Sequence, residues 1–579
     1  MHIGLCLTLS VTALSAQVID ERLTPKTPPK SKGETKLPET PAAPATEEDV
    51  PVADKLNGLI VVKTKEEIRR DGVDNVTGLD IHDIPLLAGP SFAELLRPYF
   101  GQPVSIRSLR EMQRKIIIYC RENDRPLVDV IVPNQEVKSG VVQLVLIEGR
   151  IGNISVRNED PKWFKDAIIT KSLRATSGDV VRANSLLSDV NWLNRNPFRE
   201  VSLAFKQGEK PGLSDLQLQV EDRFPLRGFV GYEDTGSEVT GEDRLIAGFN
   251  WGNAFGLDHQ LNYQFTTDPT FDLLMAHSGS YIAPLPWRHT MTLFASYVDI
   301  TADEEVAGVE QTGLNYQFSA RYAIPLPLLR TYQHEVSIGF DYKHNENELL
   351  FGNVSLDDTE TDVGQFALGY SGLQTDSYGR TSIGLQGYFS PGDMYGNNKD
   401  TNFNAAHLGA EADYIYGRLT LERVTRLPWD FSLVLRGTGQ AASGNLIASE
   451  QLGVGGFNSV RGYEEREVNG DRGVYGNLEL RTRSFSLMQM FSKSKWVNNL
   501  KLVDQLQFLA FMDYGLAENI DQLEGESTAH LWSVGGGLRY SVNRYFSLRF
   551  DYGVRLHEST EEGSGGDGGR GHIGVIGSF

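Results

Sequence analysis

Only two cysteines, Cys6 and Cys120, occur in 579 residues. That is too few for a disulfide framework or a cysteine-rich zinc site, and nothing marks either thiol as a nucleophile. Positive charge is also short. Lys and Arg number 55 against 76 Asp and Glu, a net charge of −21, and a chain without basic patches has nothing to neutralise a phosphate backbone, so nucleic acid is excluded as a partner. No run of eighteen apolar residues exists, so no helix is expected to cross a membrane. Glycine-rich phosphate loops, metal-spaced histidine sets and nucleophile elbows are missing as well. The 11 histidines are scattered, and no carboxylate pair is set up for acid–base work. Neither catalysis nor a cofactor is expected.

What the chain has in quantity is glycine (59), phenylalanine (27) and tyrosine (22), the residues of strands and turns. From Arg227 to the last residue the text alternates with period two. Leu245, Ala247, Phe249 and Trp251 alternate with Ile246, Gly248 and Asn250, and Leu261, Tyr263 and Phe265 with Asn262 and Gln264. Val534 to Tyr540, Phe546 to Tyr552 and Ile573 to Phe579 do the same. About sixteen such segments are each near the length of a tilted membrane strand. Short turns such as Asn253-Ala254-Phe255-Gly256, Pro284-Leu285-Pro286-Trp287 and Leu427-Pro428-Trp429-Asp430 alternate with long connections at 345–361, 391–402, 443–471, 515–527 and 557–569. Tyr281, Trp287, Tyr297 and Trp429 mark segment ends, as interfacial aromatics do. The fold class is therefore a membrane all-β protein, a 16-stranded antiparallel outer-membrane barrel in which the segment ending at Phe579 pairs with the first strand and leaves no free edge. His259, His277 and His407 are expected in strands. Asp357-Asp358-Thr359-Glu360 and Glu558-Ser559-Thr560-Glu561-Glu562 are expected as solvated acidic loops.

The first part of the chain is different. Met1 to Ala16 reads as a secretory signal, with an apolar Leu5–Leu14 and a small-x-small site at Ala13-Leu14-Ser15, although no Lys or Arg precedes it. Cys6 would leave with it. Residues 17–54 are rich in Pro, Thr, Lys and Glu and read as a linker without a core. Residues 55–148 form a small α+β module. Leu56–Val62 is a strand, and Ser91-Phe92-Ala93-Glu94 is a capping box opening a short helix. Ser105 caps a longer helix with Ile106, Leu109, Met112, Ile116 and Tyr119 at helical spacing, and strands Leu127–Val132 and Val141–Ile147 follow. Cys120 falls on that helix as buried packing. Residues 149–222 repeat the order, with a strand Ile151–Val156, helices Trp163–Thr170 and Arg182–Asn194, and alternating strands through Val201, Leu203, Phe205 and through Leu216, Leu218, Val220. A doubled module ahead of a barrel at 223–579 is an organisational signal of its own.

One constellation stands apart from the barrel pattern. Val460-Arg461-Gly462-Tyr463 lies in the long connection 443–471, between the eleventh and twelfth segments. Phe511-Met512-Asp513-Tyr514-Gly515 lies on the thirteenth. An aspartate on an apolar strand is costly unless paired. Arg461 is the obvious partner, and the loop carrying it would have to fold inward to reach Asp513.

Together these residues resemble the two-partner secretion outer-membrane transporters, the TpsB proteins of the ShlB/FhaC/HecB haemolysin secretion/activation type, within the BamA-like superfamily. The resemblance covers roughly residues 55–579. It is carried by Pro133-Asn134-Gln135-Glu136-Val137-Lys138-Ser139-Gly140, Ile147-Glu148-Gly149-Arg150-Ile151, Leu193-Asn194-Arg195-Asn196-Pro197-Phe198-Arg199-Glu200-Val201, Gly212-Leu213-Ser214-Asp215-Leu216 and Asp234-Thr235-Gly236-Ser237-Glu238-Val239-Thr240-Gly241. The Arg461 motif is common to the superfamily, and the other segments narrow it to the secretion branch. The resemblance implies two periplasmic POTRA domains that capture an unfolded, exported, TpsA-like partner, and a barrel in the Gram-negative outer membrane that conducts it without ATP. It implies a lumen latch made of Val460, Arg461, Gly462, Tyr463, Asp513 and Gly515, and Phe579 as the barrel's C-terminal signal. The implied partners besides the secreted polypeptide are outer-membrane lipid and lipopolysaccharide and the barrel-assembly machinery. Three features depart from the family: a Pro-rich 17–54 where a plug helix is usual, extra residues around Lys63 to Val76, and Tyr119-Cys120-Arg121-Glu122-Asn123-Asp124-Arg125-Pro126 in place of a Gly-Tyr step. The alternatives are an outer-membrane assembly insertase of the BamA type, which usually carries more such domains, a passive porin and a surface adhesin.

Overall fold

The computed structural model describes residues 49–137, 139–158, 161–210, 212–237, 240–302, 309–329, 331–351, 354–490, 502–522, 526–557 and 568–579. The signal, most of the linker and the acidic run 558–562 lie outside them. The chain divides into two compact units at Arg223 and Phe224.

In the first unit, a short pair of strands, β1 (Pro51–Ala53) and β4 (Val104–Ser105), brings the last linker residues onto the first module. The main sheet has the order β3-β2-β6-β5, from β2 (Gly58–Val62), β3 (Gly78–Ile81), β5 (Val128–Ile131) and β6 (Val141–Glu148). The helices Pro90–Leu96 and Ile106–Glu122 cover one face, with Phe92, Leu96, Leu109, Met112, Ile116 and Cys120 in the core. Ser105 caps the long helix as expected, accepting from the Ser108 N–H at 3.2 Å. The shorter helix is capped differently. Gly89 is its N-cap and Pro90 its first residue, with no side-chain cap from Ser91, because proline at the first position needs no N–H partner. The strand β3 was not expected. It runs parallel to β2, and the extra segment before it lays Ile68, Val73 and Val76 on the second face of the sheet, over Ile60, Val62, Val141 and Val145. Buried Gln143 holds that segment, exchanging hydrogen bonds with the Arg69 backbone at 2.8 and 3.0 Å.

The second module repeats the strand pattern with three strands, β7 (Arg150–Asn158), β8 (Arg199–Gln207) and β9 (Leu213–Asp222), in the order β7-β9-β8. As with β2, β6 and β5, the first and last strands are parallel and the last two antiparallel. The helices Asp166–Lys171 and Ala183–Leu193 pack Ile169, Leu186, Val190 and Leu193 onto it. The first of these starts later than the sequence suggested, and Trp163 is exposed before it. The departure at Tyr119–Pro126 has a structural role. Asp124 takes the left-handed conformation that ends the helix (φ +66°), its carboxylate accepts from the Asn184 N–H at 2.7 Å, and Arg125 bonds Glu148 at 2.7 Å.

The second unit is a closed barrel of sixteen strands. They are β10 (Leu226–Glu233), β11 (Arg244–Ala254), β12 (His259–Thr267), β13 (Leu274–Pro284), β14 (Thr290–Thr301), β15 (Val309–Pro325), β16 (Tyr332–Phe351), β17 (Val354–Asp376), β18 (Gly379–Pro391), β19 (Asp413–Arg426), β20 (Ser432–Ala442), β23 (Arg472–Arg481), β24 (Asp504–Glu518), β25 (Ala529–Val542), β26 (Phe546–Arg555) and β27 (Gly569–Ser578). Two further strands, β21 (Leu452–Val454) and β22 (Val468–Gly470), form a hairpin inside the connection between β20 and β23. All neighbours in the wall are antiparallel, and β27 closes on β10 with Val575 opposite Tyr232. Phe579 lies one residue past β27, exposed, and exchanges backbone hydrogen bonds with Gly228 at 3.0 Å in both directions. The period-two pattern sorts side chains as expected. On β24 Gln507, Leu509, Phe511, Asp513 and Gly515 are buried inward, while Phe508, Met512 and Tyr514 are exposed on the outer face.

Two expected loops are strand instead. The hairpin β16–β17 runs through 345–361 with strands of 20 and 23 residues, about twice what a membrane crossing needs. Glu360 of the acidic run sits opposite Glu346 in that ladder. His344 to Glu348 on β16 is polar at every position, so the alternation that marks the other strands is absent there. Likewise β24 continues to Glu518, into the expected loop 515–527. His407 is also not in a strand. It ends the helix Asp400–Ala406 in the connection between β18 and β19 and bonds the Leu446 carbonyl at 2.7 Å.

Burial beside Glu148 pushes the Cys120 thiol up to about 12. Because the thiolate is the reactive form, peptide mapping should find Cys120 unmodified after alkylation of the native protein at mildly alkaline pH and modified once denaturant is added. Ready modification of the native protein would contradict this packing.

Candidate functional site

The connection 443–471 turns inward between β20 and β23, and its tip lies on the inner wall. Three of the four motif residues are held by the backbone and side chains of the last five strands. The Arg461 guanidinium grips Asp513 bidentately, Nε to Oδ2 at 2.7 Å and a terminal nitrogen to Oδ1 at 2.8 Å, and its backbone N–H donates to the same carboxylate at 3.1 Å. Its other terminal nitrogen reaches Glu479 at 2.9 Å and Asp551 at 3.5 Å. The plane lies 3.6 Å over the Phe511 ring. Arg461 is 2% exposed and Asp513 fully buried. A fork-shaped cation that fills two carboxylate oxygens fixes orientation as well as position.

Gly462 adopts φ +94°, and a Cβ there would sit 2.9 Å from the Gly553 carbonyl oxygen. Its N–H donates to His572 on β27 at 3.0 Å and its carbonyl accepts from Arg555 on β26 at 2.7 Å. Tyr463 is buried; its hydroxyl donates to the His557 carbonyl and accepts from the Trp532 N–H at 3.2 Å. Val460 packs with Val454 in a small apolar cluster with Leu531. Gly515 leaves the room: a Cβ there would stand 2.3 Å from Val454 Cγ1 and 2.8 Å from Val460 Cγ2. All six residues singled out in the sequence therefore meet at one place on the inner wall, while Phe579 stands apart at the end of the chain.

Other members of the site were not foreseen. Asp551 is shared with Arg539, at 2.7 Å, and Arg549, at 2.8 Å, and Glu479 is bonded by Arg481 Nε at 2.8 Å. Arg549 also covers the Phe457 ring at 3.6 Å. Phe457, from the same loop, packs among Phe229 of β10, Ile246 of β11 and Ile576 of β27. The signal was present as Glu479-Leu480-Arg481 and Arg549-Phe550-Asp551, charges spaced by two on strands and therefore on one face.

Two small α+β modules ahead of a sixteen-stranded barrel, with one loop bound inside it, define a class of outer-membrane pore proteins. The family described as "Haemolysin secretion/activation protein ShlB/FhaC/HecB" matches residues 212–540, more than half of the chain, and the chain belongs to it. The heme/hemopexin transporter protein HuxB of Haemophilus influenzae is 22% identical over 464 residues, 78% of this chain and 77% of that one. The outer membrane transporter CdiB of Dickeya dadantii is 23% identical over 72% of this chain and 71% of its own. Among solved structures, CdiB from Escherichia coli superposes with a TM-score of 0.73 at 17% identity, covering 97% of this chain and 96% of that one. CdiB from Acinetobacter baumannii gives 0.64 at 16% identity, covering 97% and 96%. The protein is thus an outer-membrane transporter of the two-partner secretion type, with POTRA modules in the periplasm and a secreted polypeptide as its partner. The reading as a BamA-type insertase is less well supported.

Replacing Gly515 with Val inserts a side chain where the loop rests, an overpacking worth about 1–3 kcal/mol. A cysteine introduced at Val460 should react slowly with a small maleimide in the otherwise unchanged protein and much faster in the Gly515→Val background. Equal rates would mean that the loop does not rest on β24.

Proposed function

We propose that the Arg461–Asp513 pair is a latch that sets the position of loop 443–471 in the lumen, and that an unfolded TpsA-like polypeptide passes only when this latch works. The observation that carries the reading is the buried bidentate pair between a loop and the wall of a barrel. Removing the arginine would leave Asp513 without its bidentate partner, while Glu479 and Asp551 keep Arg481, Arg539 and Arg549, and an uncompensated buried charge costs about 3–5 kcal/mol. No nucleotide enters the account; folding of the partner outside the cell gives direction.

Residues 55–148 and 149–222 act as the two POTRA domains and take the partner by strand addition. Support comes from β5, the outer strand of its sheet. Beside it runs a groove of about 450 Å³ lined by Ile106, Leu109, Arg110, Gln113 and Val130–Val132. The Val130 carbonyl on the free side of β5 accepts from Gln113 Nε2 at 2.7 Å, a bond that an added strand would replace. The outer band that includes Phe508, Met512 and Tyr514 meets lipid and lipopolysaccharide, and Phe579 is what the barrel-assembly machinery would read during insertion.

Arg461→Ala should lower secretion of the partner while the barrel remains inserted in the outer membrane, scored by immunoblot of medium and membrane fractions. Normal secretion by this variant sinks the latch. A photo-reactive residue at exposed Ile106 should cross-link to the partner during export and one at exposed Glu94 should not; the reverse pattern would move the docking edge away from β5.

A further inference from the structure

The loop that ends on β24 begins on a different part of the wall. Glu450, eleven residues before Arg461 in sequence, is fully buried. Its Oε1 accepts from Lys343 Nζ of β16 at 2.6 Å and from the Ser449 hydroxyl at 3.1 Å. Its Oε2 accepts from the Tyr416 hydroxyl of β19 at 2.8 Å and from Gln365 Nε2 of β17 at 3.1 Å. Behind these, Gln365 accepts from the Tyr414 hydroxyl at 2.9 Å and donates to Asp341 at 3.3 Å, and Asp341 is paired with Arg321 at 2.7 Å. Four donors around one carboxylate form a built receptor rather than a chance contact, and a buried carboxylate is tolerated only with such partners.

Around the ring, Glu450 is held by β16, β17 and β19, the seventh, eighth and tenth strands, and Arg461 by β23, β24 and β26, the twelfth, thirteenth and fifteenth, so the two receptors use separate sets of strands. A loop carboxylate is held by a cation on one part of the wall, and a loop cation by carboxylates on another. The root of the loop is fixed on the Glu450 side as well. Asp471 accepts from the Leu446 N–H at 2.8 Å and from Gln451 at 2.9 Å, and Leu446 and Ile447 pack with Phe403, Tyr414 and Tyr416.

We infer that Glu450 is a second positioning residue, an ionic anchor that holds loop 443–471 to a part of the wall distinct from the one that holds Arg461, so that the loop leaves the channel only when both anchors are released. The inference rests on the loop being a movable element, as the latch reading has it, but its test needs no secreted partner. The two anchors share no residue, so their contributions should add as free energies and multiply as populations.

The test is single-channel conductance of the full-length transporter in planar bilayers. Glu450→Gln and Arg461→Ala should each raise open-state occupancy about tenfold, and the double variant about a hundredfold, for anchors worth a fraction of a buried ion pair each. Unchanged occupancy in Glu450→Gln, or a double variant no more open than Arg461→Ala alone, overturns the inference. The reversed pair, Lys343→Glu with Glu450→Lys, separates charge from packing, since the Tyr416 hydroxyl and the Gln365 amide can serve either sign. Return towards the parent occupancy supports an ionic anchor, and an occupancy as high as that of Glu450→Gln refutes it. Each variant is first checked for a heat-modifiable, folded barrel on a gel. Normal secretion by Arg461→Ala would remove the latch from the export mechanism and leave these conductance results readable.

Discussion

A guanidinium group buried in a barrel wall is stable only if carboxylates meet it, and much of this barrel is arranged around that demand. Asp513, Glu479 and Asp551 project from three strands towards Arg461, and Arg539, Arg549 and Arg481 balance them in turn. Glycine at 462 lets the chain turn against β26, and glycine at 515 lets the loop lie flat on β24. Partial reduction of such a network is more damaging than its complete replacement, because each member left behind is a buried, unpaired charge. The same low dielectric that makes the site strong makes its residue types hard to exchange.

The fold and the site were legible in the sequence to different depths. Membrane strands such as β11 and β24 showed themselves because one face meets lipid and the other does not, and the count placed Asp513 on the thirteenth strand, where it is found. Arg461 and Asp513 were legible because an aspartate among apolar residues asks for a partner. The far ends of β16 and β17 were not, since His344 to Glu348 is polar at every position and shows no period of two. The parallel strand β3 was missed because its four residues carry a weak pattern and its partner β2 lies across an irregular segment. Glu479, Asp551 and Glu450 were missed for a third reason. Charged residues are ordinary in a lumen and a loop, and only the closure of the barrel shows that these few are buried together.

The motif and the modules answer different questions. The Arg461 site describes a loop held within a barrel, a device that a secretion pore and an insertase could both use. The modules before the barrel and the match across residues 212–540 place the chain among the haemolysin secretion/activation proteins. Two of the three departures expected from the family pattern fall in the first module, where the segment around Lys63 to Val76 covers the second face of the sheet and Asp124 takes a left-handed conformation at the end of the long helix. Both alter how the first module is built while leaving β5 at the edge of its sheet, the side from which an extended partner could be taken.

The central claim is that loop 443–471 is latched to the inner wall and that export needs this latch both to close and to release. A disulfide engineered between the positions of Ser459 and Asn477, where the Ser459 carbonyl already accepts from the Asn477 side chain, would tie the loop to β23. Secretion of the partner through the oxidised protein, measured against the same cells treated with reductant, tests that claim most directly. Export that stops on oxidation and returns on reduction is the predicted result, and export at the normal rate with the disulfide intact would contradict the account.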